Sequence, residues 1–250
     1  MLVSNKSYYR AVSEFLRGDG VVYTEFIGEV ATRQISVFEG NHYSSSSVTD
    51  WHEDIGYLLY DGKKNELDLS DSEEITDENF ETEWKKTLVN EDQIAYIHYH
   101  SGDASIPFKE SVIILHVVNN LGKWGKGFVL SLSKRYPLAK EKYLASSRIG
   151  YKMGDVQFIE VDTLNRVFVA NMVAQEGIKK SQRDAKRYIS YEALEECLEI
   201  ASDYALCNRL EVQMPMIGAG LGGGDWQVII DIIKDKLTYK KIPCHILTLD

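Results

Sequence analysis

Two short glycine-rich stretches carry the chemistry this sequence could do. The first is "NNLGKWGKG", with Gly122, Gly125 and Gly127 between a β-rich run and the start of a helix. The second is "GAGLGGG", residues 218–224, between another strand-like run and another helix. Glycine allows backbone angles and close approaches that other residues resist, and a helix start presents unpaired N–H groups, so such loops suit anions. The spacing excludes two common phosphate motifs. A Walker A loop needs Gly-Lys followed by Ser or Thr, and Lys126 is followed by Gly127. "GKWGKG" also spaces its glycines differently from the G-x-G-x-x-G dinucleotide fingerprint. Two such loops opening on one crevice would suit a diphosphate and the sugars beside it.

The elements that must position these loops alternate along the chain from residue 93. "VIILHVV" (112–118) is a continuous apolar run, as expected of a strand buried on both faces. Strands are also expected over 94–100, in "DVQFIEVD" and "RVFVANMV", in "LEVQMPMIG", and in a closing "PCHILTL". Helices are expected over about 127–135, 138–147, 191–206 and 225–237. Ser190 and Asp225 serve as N-caps, and Leu194, Cys197, Leu198, Ala201 and Ala205 form one apolar face. Strands alternating with helices predict an α/β fold, a mainly parallel or mixed sheet covered on both faces. In such sheets ligands sit where strand C-termini lead into loops, and both glycine loops have that context.

The first part of the chain differs. Residues 1–91 hold eight Lys and Arg against nineteen Asp and Glu, a net −11, whereas residues 92–250 are at +1. A boundary near residue 91 follows, with a small acidic α+β domain before it. Here the residues suggest a helix over 8–17 closed by "GDG", two strands across "VVYTEFIGEVATRQISVFEG", a loop at "NHYSSSSV" and a strand at "GYLLYDG". A helix capped by Thr76 follows, with Phe80 and Trp84 one turn apart. His42 and His52 read as surface histidines. Such acidity argues against non-specific nucleic-acid or membrane binding, which needs clustered Lys and Arg. The chain of 250 residues is 44% hydrophobic and 26% charged, ordinary for a globular protein. No apolar run approaches the roughly 20 residues of a membrane span, and the N-terminus lacks a signal-peptide core. Cys197, Cys207 and Cys244 lack metal spacing and read as reduced thiols, so a cytoplasmic protein without metal or cofactor is expected.

"IILHVVNNLGKWGKGFVLSLSKRYP", "DVQFIEV", "VFVANMVAQEG" and "VQMPMIGAGLGGGDW" together resemble the macro domain family, over residues of about 92–250. The similarity is to the branch of ADP-ribose-1''-phosphate-processing proteins and terminal ADP-ribose glycohydrolases. The resemblance implies a three-layer α/β/α domain with a mixed central sheet that binds ADP-ribose. It implies that Asp103 accepts a hydrogen bond from the adenine amine and that Asn119 lies beside the distal ribose. Gly122, Gly125, Lys126 and Gly127 would form the first phosphate loop. Gly218, Ala219, Gly220, Leu221 and Gly222 would form the second, around the diphosphate and distal ribose. Trp124 could cover the sugar or pack against the helix, and Gln175 could touch adenosine. The N-terminal part faintly resembles a small uncharacterised bacterial domain, which implies no activity.

In the glycohydrolase branch a lysine follows the first loop and an aspartate follows G-x-G-L in the second. Here Ser133 takes the lysine position, with Lys134 next to it, and Gly222 takes the aspartate position. Hydrolysis would then need a positioned water, a base and donors. His116, Asn119, Lys134 and Asp225 are the catalytic candidates, although His116 also reads as a core histidine and Asp225 as a helix cap. Two expectations follow. One is an enzyme that hydrolyses a distal-ribose derivative, such as ADP-ribose-1''-phosphate or an ADP-ribosyl ester on protein. The other is a non-catalytic reader of ADP-ribose or ADP-ribosylated protein.

Overall fold

The computed structural model describes residues 5–88, 96–179, 181 and 184–249. It divides into two compact units, Met1–Gln93 with Leu206–Arg209, and Ile94–Ala205 with Leu210–Asp250. No helix among the described residues is long and apolar enough to cross a membrane.

The first unit is built on strands β1 (Lys6–Phe15), β2 (Gly18–Ile27), β3 (Val30–Phe38) and β4 (Asn41–Ser45). A small pair, β5 (Trp51–His52) and β6 (Gly56–Tyr57), follows, then β7 (Glu73–Ile75) and helix α1 (Asp77–Lys86). The five-stranded sheet runs β4-β3-β2-β1-β7, with every pair antiparallel. The helix expected over 8–17 is instead strand β1. Tyr8, Val12 and Phe15 would line one helix face, but β1 pairs with β2 without a break from Lys6↔Ile27 to Phe15↔Gly18. Ten residues of ladder outweigh that local helical spacing. "GDG" therefore opens β2 rather than closing a helix, and a Cβ on Gly20 would lie 2.1 Å from the Phe15 ring. The expected loop at "NHYSSSSV" starts as β4, and only Gly56–Tyr57 of "GYLLYDG" is strand.

Helix α1 forms as the residues dictate. Thr76 accepts the Asn79 N–H at 3.2 Å, and Phe80 and Trp84 are fully buried. The Arg33 guanidinium lies against both rings, 4.8 and 5.0 Å from the two centroids. Arg33 donates to both Glu25 oxygens at 2.9 and 2.7 Å and to Glu81 at 2.6 Å. Burial works against this cation, but the two carboxylates outweigh it and raise its pKa.

The second unit contains β8 (Ile97–Ser101), β9 (Val112–Asn119), α2 (Val129–Arg135), α3 (Pro137–Ser146), β10 (Val156–Asp162) and β11 (Val167–Gln175). Then come α4 (Tyr191–Cys207), β12 (Glu211–Pro215), α5 (Trp226–Lys236) and β13 (Cys244–Thr248). The sheet order is β10-β11-β9-β12-β13-β8. Only β10 is antiparallel to its neighbour, so this is the mixed sheet of a three-layer α/β/α fold. Strand β9 is buried along nearly its whole length, and all five apolar residues expected on α4 are buried. Because β8, β9, β11, β12 and β13 run parallel, their C-terminal ends and the loops that follow share one edge of the sheet.

Candidate ligand-binding cleft

That edge carries a cleft of about 660 Å³. Its walls come from the end of β9 with Asn119, the first glycine loop, the end of β11 with Gln175, and Leu221 of the second loop. The two loops face each other here: a Cβ on Gly127 would lie 3.5 Å from the Leu221 side chain. Lys123, Lys126 and Lys179 line the cleft, and no Asp, Glu or His is among its described lining residues. The cleft is therefore electropositive on direct Coulombic grounds.

The first loop is braced from below. The Asn119 Oδ1 accepts N–H groups from Leu121 and Lys123, both at 3.1 Å, and its Nδ2 donates to the Lys123 carbonyl at 2.6 Å. This side chain thus holds the loop's shape and keeps one N–H in reserve. Gly122 is in left-handed conformation (φ 67°), where a Cβ would lie 2.4 Å from that of Ser147, so it seats the loop on the end of α3 rather than lining the cleft. Gly125 has open space where a Cβ would be. The N–H groups of Gly125, Lys126 and Gly127 make no hydrogen bond to another described residue. Three consecutive unpaired donors, two of them on the cleft lining, are groups of the kind that can receive an anion.

The second loop is closed on itself. Gly224 donates to the Gly218 carbonyl at 2.9 Å and Gly223 to Gly220 at 3.1 Å, while the Gly222 carbonyl accepts from Tyr188 and Ile189. Gly218 (φ 71°) packs against Ile189 and Ile229, and a Cβ on Gly222 would come 2.7 Å from the Gly218 carbonyl. Of Gly218, Ala219, Gly220, Leu221 and Gly222, only Leu221 lines the cleft. The other four set the course that brings it there.

Several expected site residues lie elsewhere. His116 is a core residue, 2% exposed. Its Nε2–H donates to Asn171 Oδ1 at 2.5 Å, which leaves the basic lone pair on Nδ1, buried without a partner beside the Trp124 and Phe128 rings. Burial pushes its pKa down to about 4, only partly offset by Asn171. A base needs a lone pair that faces substrate, and this one does not. Trp124 packs downward rather than over a sugar: its Nε1 donates to the Val129 carbonyl at 2.9 Å and its ring meets Tyr143 at 5.5 Å. Asp225 is the N-cap of α5, accepting the Gln227 N–H at 2.8 Å, and does not line the cleft. Lys134 is exposed on α2, away from the lining residues. Asp103 is on the loop after β8, at the same sheet edge, and accepts the Ser105 N–H at 2.9 Å. Gln175 does line the cleft, its Nε2 donating to the Gly177 carbonyl at 2.9 Å. Sequence reasoning missed Lys123, within the loop it had selected, and Lys179, which reaches the cleft because β11 lies beside β9.

Comparison with known proteins supplies the family. No protein-family model matches the chain. A solved structure of a protein of unknown function from Bacteroides thetaiotaomicron is 38% identical, covering 61% of this chain and 98% of that one with a TM-score of 0.57. Among curated proteins, the mouse chromodomain-helicase-DNA-binding protein 1-like is 27% identical over 206 residues, which is 78% of this chain but only 22% of that protein's length. A macrodomain protein from Streptomyces coelicolor is 37% identical, with a TM-score of 0.54, and is matched over 62% of this chain and 99% of its own. The parallel strand ends, the paired glycine loops and a macrodomain relative matched over almost its full length place this chain in the macrodomain family.

Proposed function

We propose that the cleft binds ADP-ribose, free or carried on a protein, and that the chain reads this ligand without turning it over. The observation that carries the reading is the cleft's one-sided polarity: three lysines and the unpaired backbone N–H groups of Gly125 and Lys126, with no carboxylate or imidazole among the described lining residues. Such a surface suits a diphosphate and offers no general base. A volume of about 660 Å³ is in the roughly 300–1,000 Å³ range of small-molecule sites. The macrodomain resemblance supplies the ligand's identity, with Asp103 as acceptor for the adenine amine and Asn119 beside the distal ribose. On this reading residues 92–250 are the binding domain and residues 1–91 an accessory one.

Calorimetric titration with ADP-ribose tests the binding. Asp103→Ala should weaken it by about 1–3 kcal/mol, the cost of a lost charged hydrogen bond. No heat with the intact protein removes the ligand assignment. Incubation with ADP-ribose-1''-phosphate and with a glutamate-ADP-ribosylated protein tests the reader reading. Release of phosphate or of ADP-ribose would replace it with a hydrolase.

A further inference from the structure

A cleft larger than the one at the macrodomain loops lies in the first unit. It lies on one face of the first unit's sheet and has a volume of about 1130 Å³. That sheet face carries two small apolar clusters. One is Phe15, Phe38 and Ile55; the other is Phe26, Ala31 and Leu59. Between them β1, β2 and β3 present Ala11, Ser13, Thr24 and Gln34, side chains too small or too polar to close the gap, and these line the cleft.

The floor and the rim both point to an occupant. Thr24 is 7% exposed and makes no side-chain hydrogen bond among the described residues. Gln34, equally buried, accepts the Tyr60 N–H through Oε1, but its Nε2 reaches only Ser36, at 3.5 Å. Both side chains thus keep hydrogen-bonding capacity on the cleft wall, where a ligand or water can meet it. The rim is acidic: Asp61, Asp68 and Asp71 line the cleft, and no Lys or Arg is among its described lining residues. Asp61 already draws Arg209 to 3.8 Å, and the Tyr9 ring on the wall holds the Lys64 ammonium 5.7 Å from its centroid. Val12 and Tyr57, each 70% exposed, add apolar surface at the mouth. The whole N-terminal part, at net −11, attracts cations.

We propose that this cleft is a docking site for a basic segment of a partner protein, one that alternates Lys or Arg with apolar side chains. Its cations pair with Asp68 and Asp71, its apolar side chains fill the gap between the two clusters, and its backbone amides meet Thr24 and Gln34. The assignment is independent of what the macrodomain cleft binds.

The test uses the full chain and two fluorescein-labelled seven-residue peptides that alternate leucine and tyrosine with either lysine or glutamate. Fluorescence anisotropy should show saturable binding of the lysine peptide and none of the glutamate peptide. The double variant Asp68→Asn, Asp71→Asn changes only exposed side chains and should weaken binding about fivefold, the range expected of two exposed ion pairs. Ala11→Trp, which fills the floor, should abolish it, with an unchanged denaturant unfolding midpoint of the first unit, followed by Trp84 fluorescence, reporting an intact fold. Equal binding of both peptides, or lysine-peptide binding that survives both variants, overturns the proposal. So does absence of lysine-peptide binding. A concentration-dependent dimer in sedimentation that Ala11→Trp dissociates would instead make this face a contact between copies of the chain.

Discussion

The two clefts differ in charge, in construction and in how far the chain discloses them. The macrodomain cleft is lined by three lysines and no described carboxylate, and it sits where parallel strands end and hand over to glycine loops. The N-terminal cleft is lined by three aspartates and no described Lys or Arg, and it sits on the face of an antiparallel sheet. On the proposed reading, the recognition groups of the first are backbone N–H groups of a loop whose shape Asn119 and Gly122 hold. In the second they would be side chains, and the space exists because small or polar residues separate two apolar clusters. A parallel sheet gathers its loops at one edge and so makes a site from main chain. An antiparallel sheet exposes a face and makes a site from the alternation of its side chains.

The sharpest way to separate the two sites is to damage one unit's core. Arg33→Leu leaves the buried Glu25 carboxylate, and the partly buried Glu81 beside it, without their cation and should destabilise the first unit by about 3–5 kcal/mol. Denaturant unfolding monitored by Trp fluorescence should show that loss, together with loss of lysine-peptide binding, while ADP-ribose calorimetry stays unchanged.

The next effect is acid lability of the second unit. The His116 pKa is lowered to about 4 by burial, so the unfolded chain takes up a proton the native state refuses. The stability this group contributes is present above pH 6.5 and is lost as pH falls toward 4, by ~2–3 kcal/mol at pH 4.5. Denaturation midpoints at pH 7 and 4.5 should differ less in His116→Leu than in the parent protein. Glu211, held near 2 chiefly by its hydrogen bond to His245 and also by Lys109, adds a further loss only below about pH 4.5, where its unfolded form protonates first.

A smaller change tests the charge contrast directly. Lys126→Glu should weaken ADP-ribose binding about tenfold, the scale of one lost charged hydrogen bond. The peptide affinity of the other cleft should not move. If reversal of this charge leaves calorimetry unaltered, Lys126 is a solvated surface residue and the diphosphate is held by main chain alone.

Much of the second unit was legible. The apolar run of β9, the capping of α4 and α5, and the five-residue apolar face of α4 are local patterns, and local patterns survive folding. Strand β1 was not, because Tyr8, Val12 and Phe15 fit a helical face as readily as a strand. Trp124 sits in the correct loop, yet its direction depends on Tyr143 from α3 and His116 from β9. The N-terminal cleft left no trace in the chain, since its floor is assembled from small or polar side chains on three strands.

By itself the sequence determined the alternating elements of the second unit, the two glycine loops, the acidity of the first ninety residues, and the family. Those rest on residue type and short-range spacing, which do not depend on what packs beside them. Only the tertiary structure decided that Lys123, Lys126 and Lys179 converge, that His116 turns its lone pair into the core, that Asp225 serves as a cap outside the cleft, and that an aspartate-rimmed gap opens between two apolar clusters. Each of those depends on which strands lie side by side, and strand adjacency is set by long-range pairing rather than by any local stretch of chain.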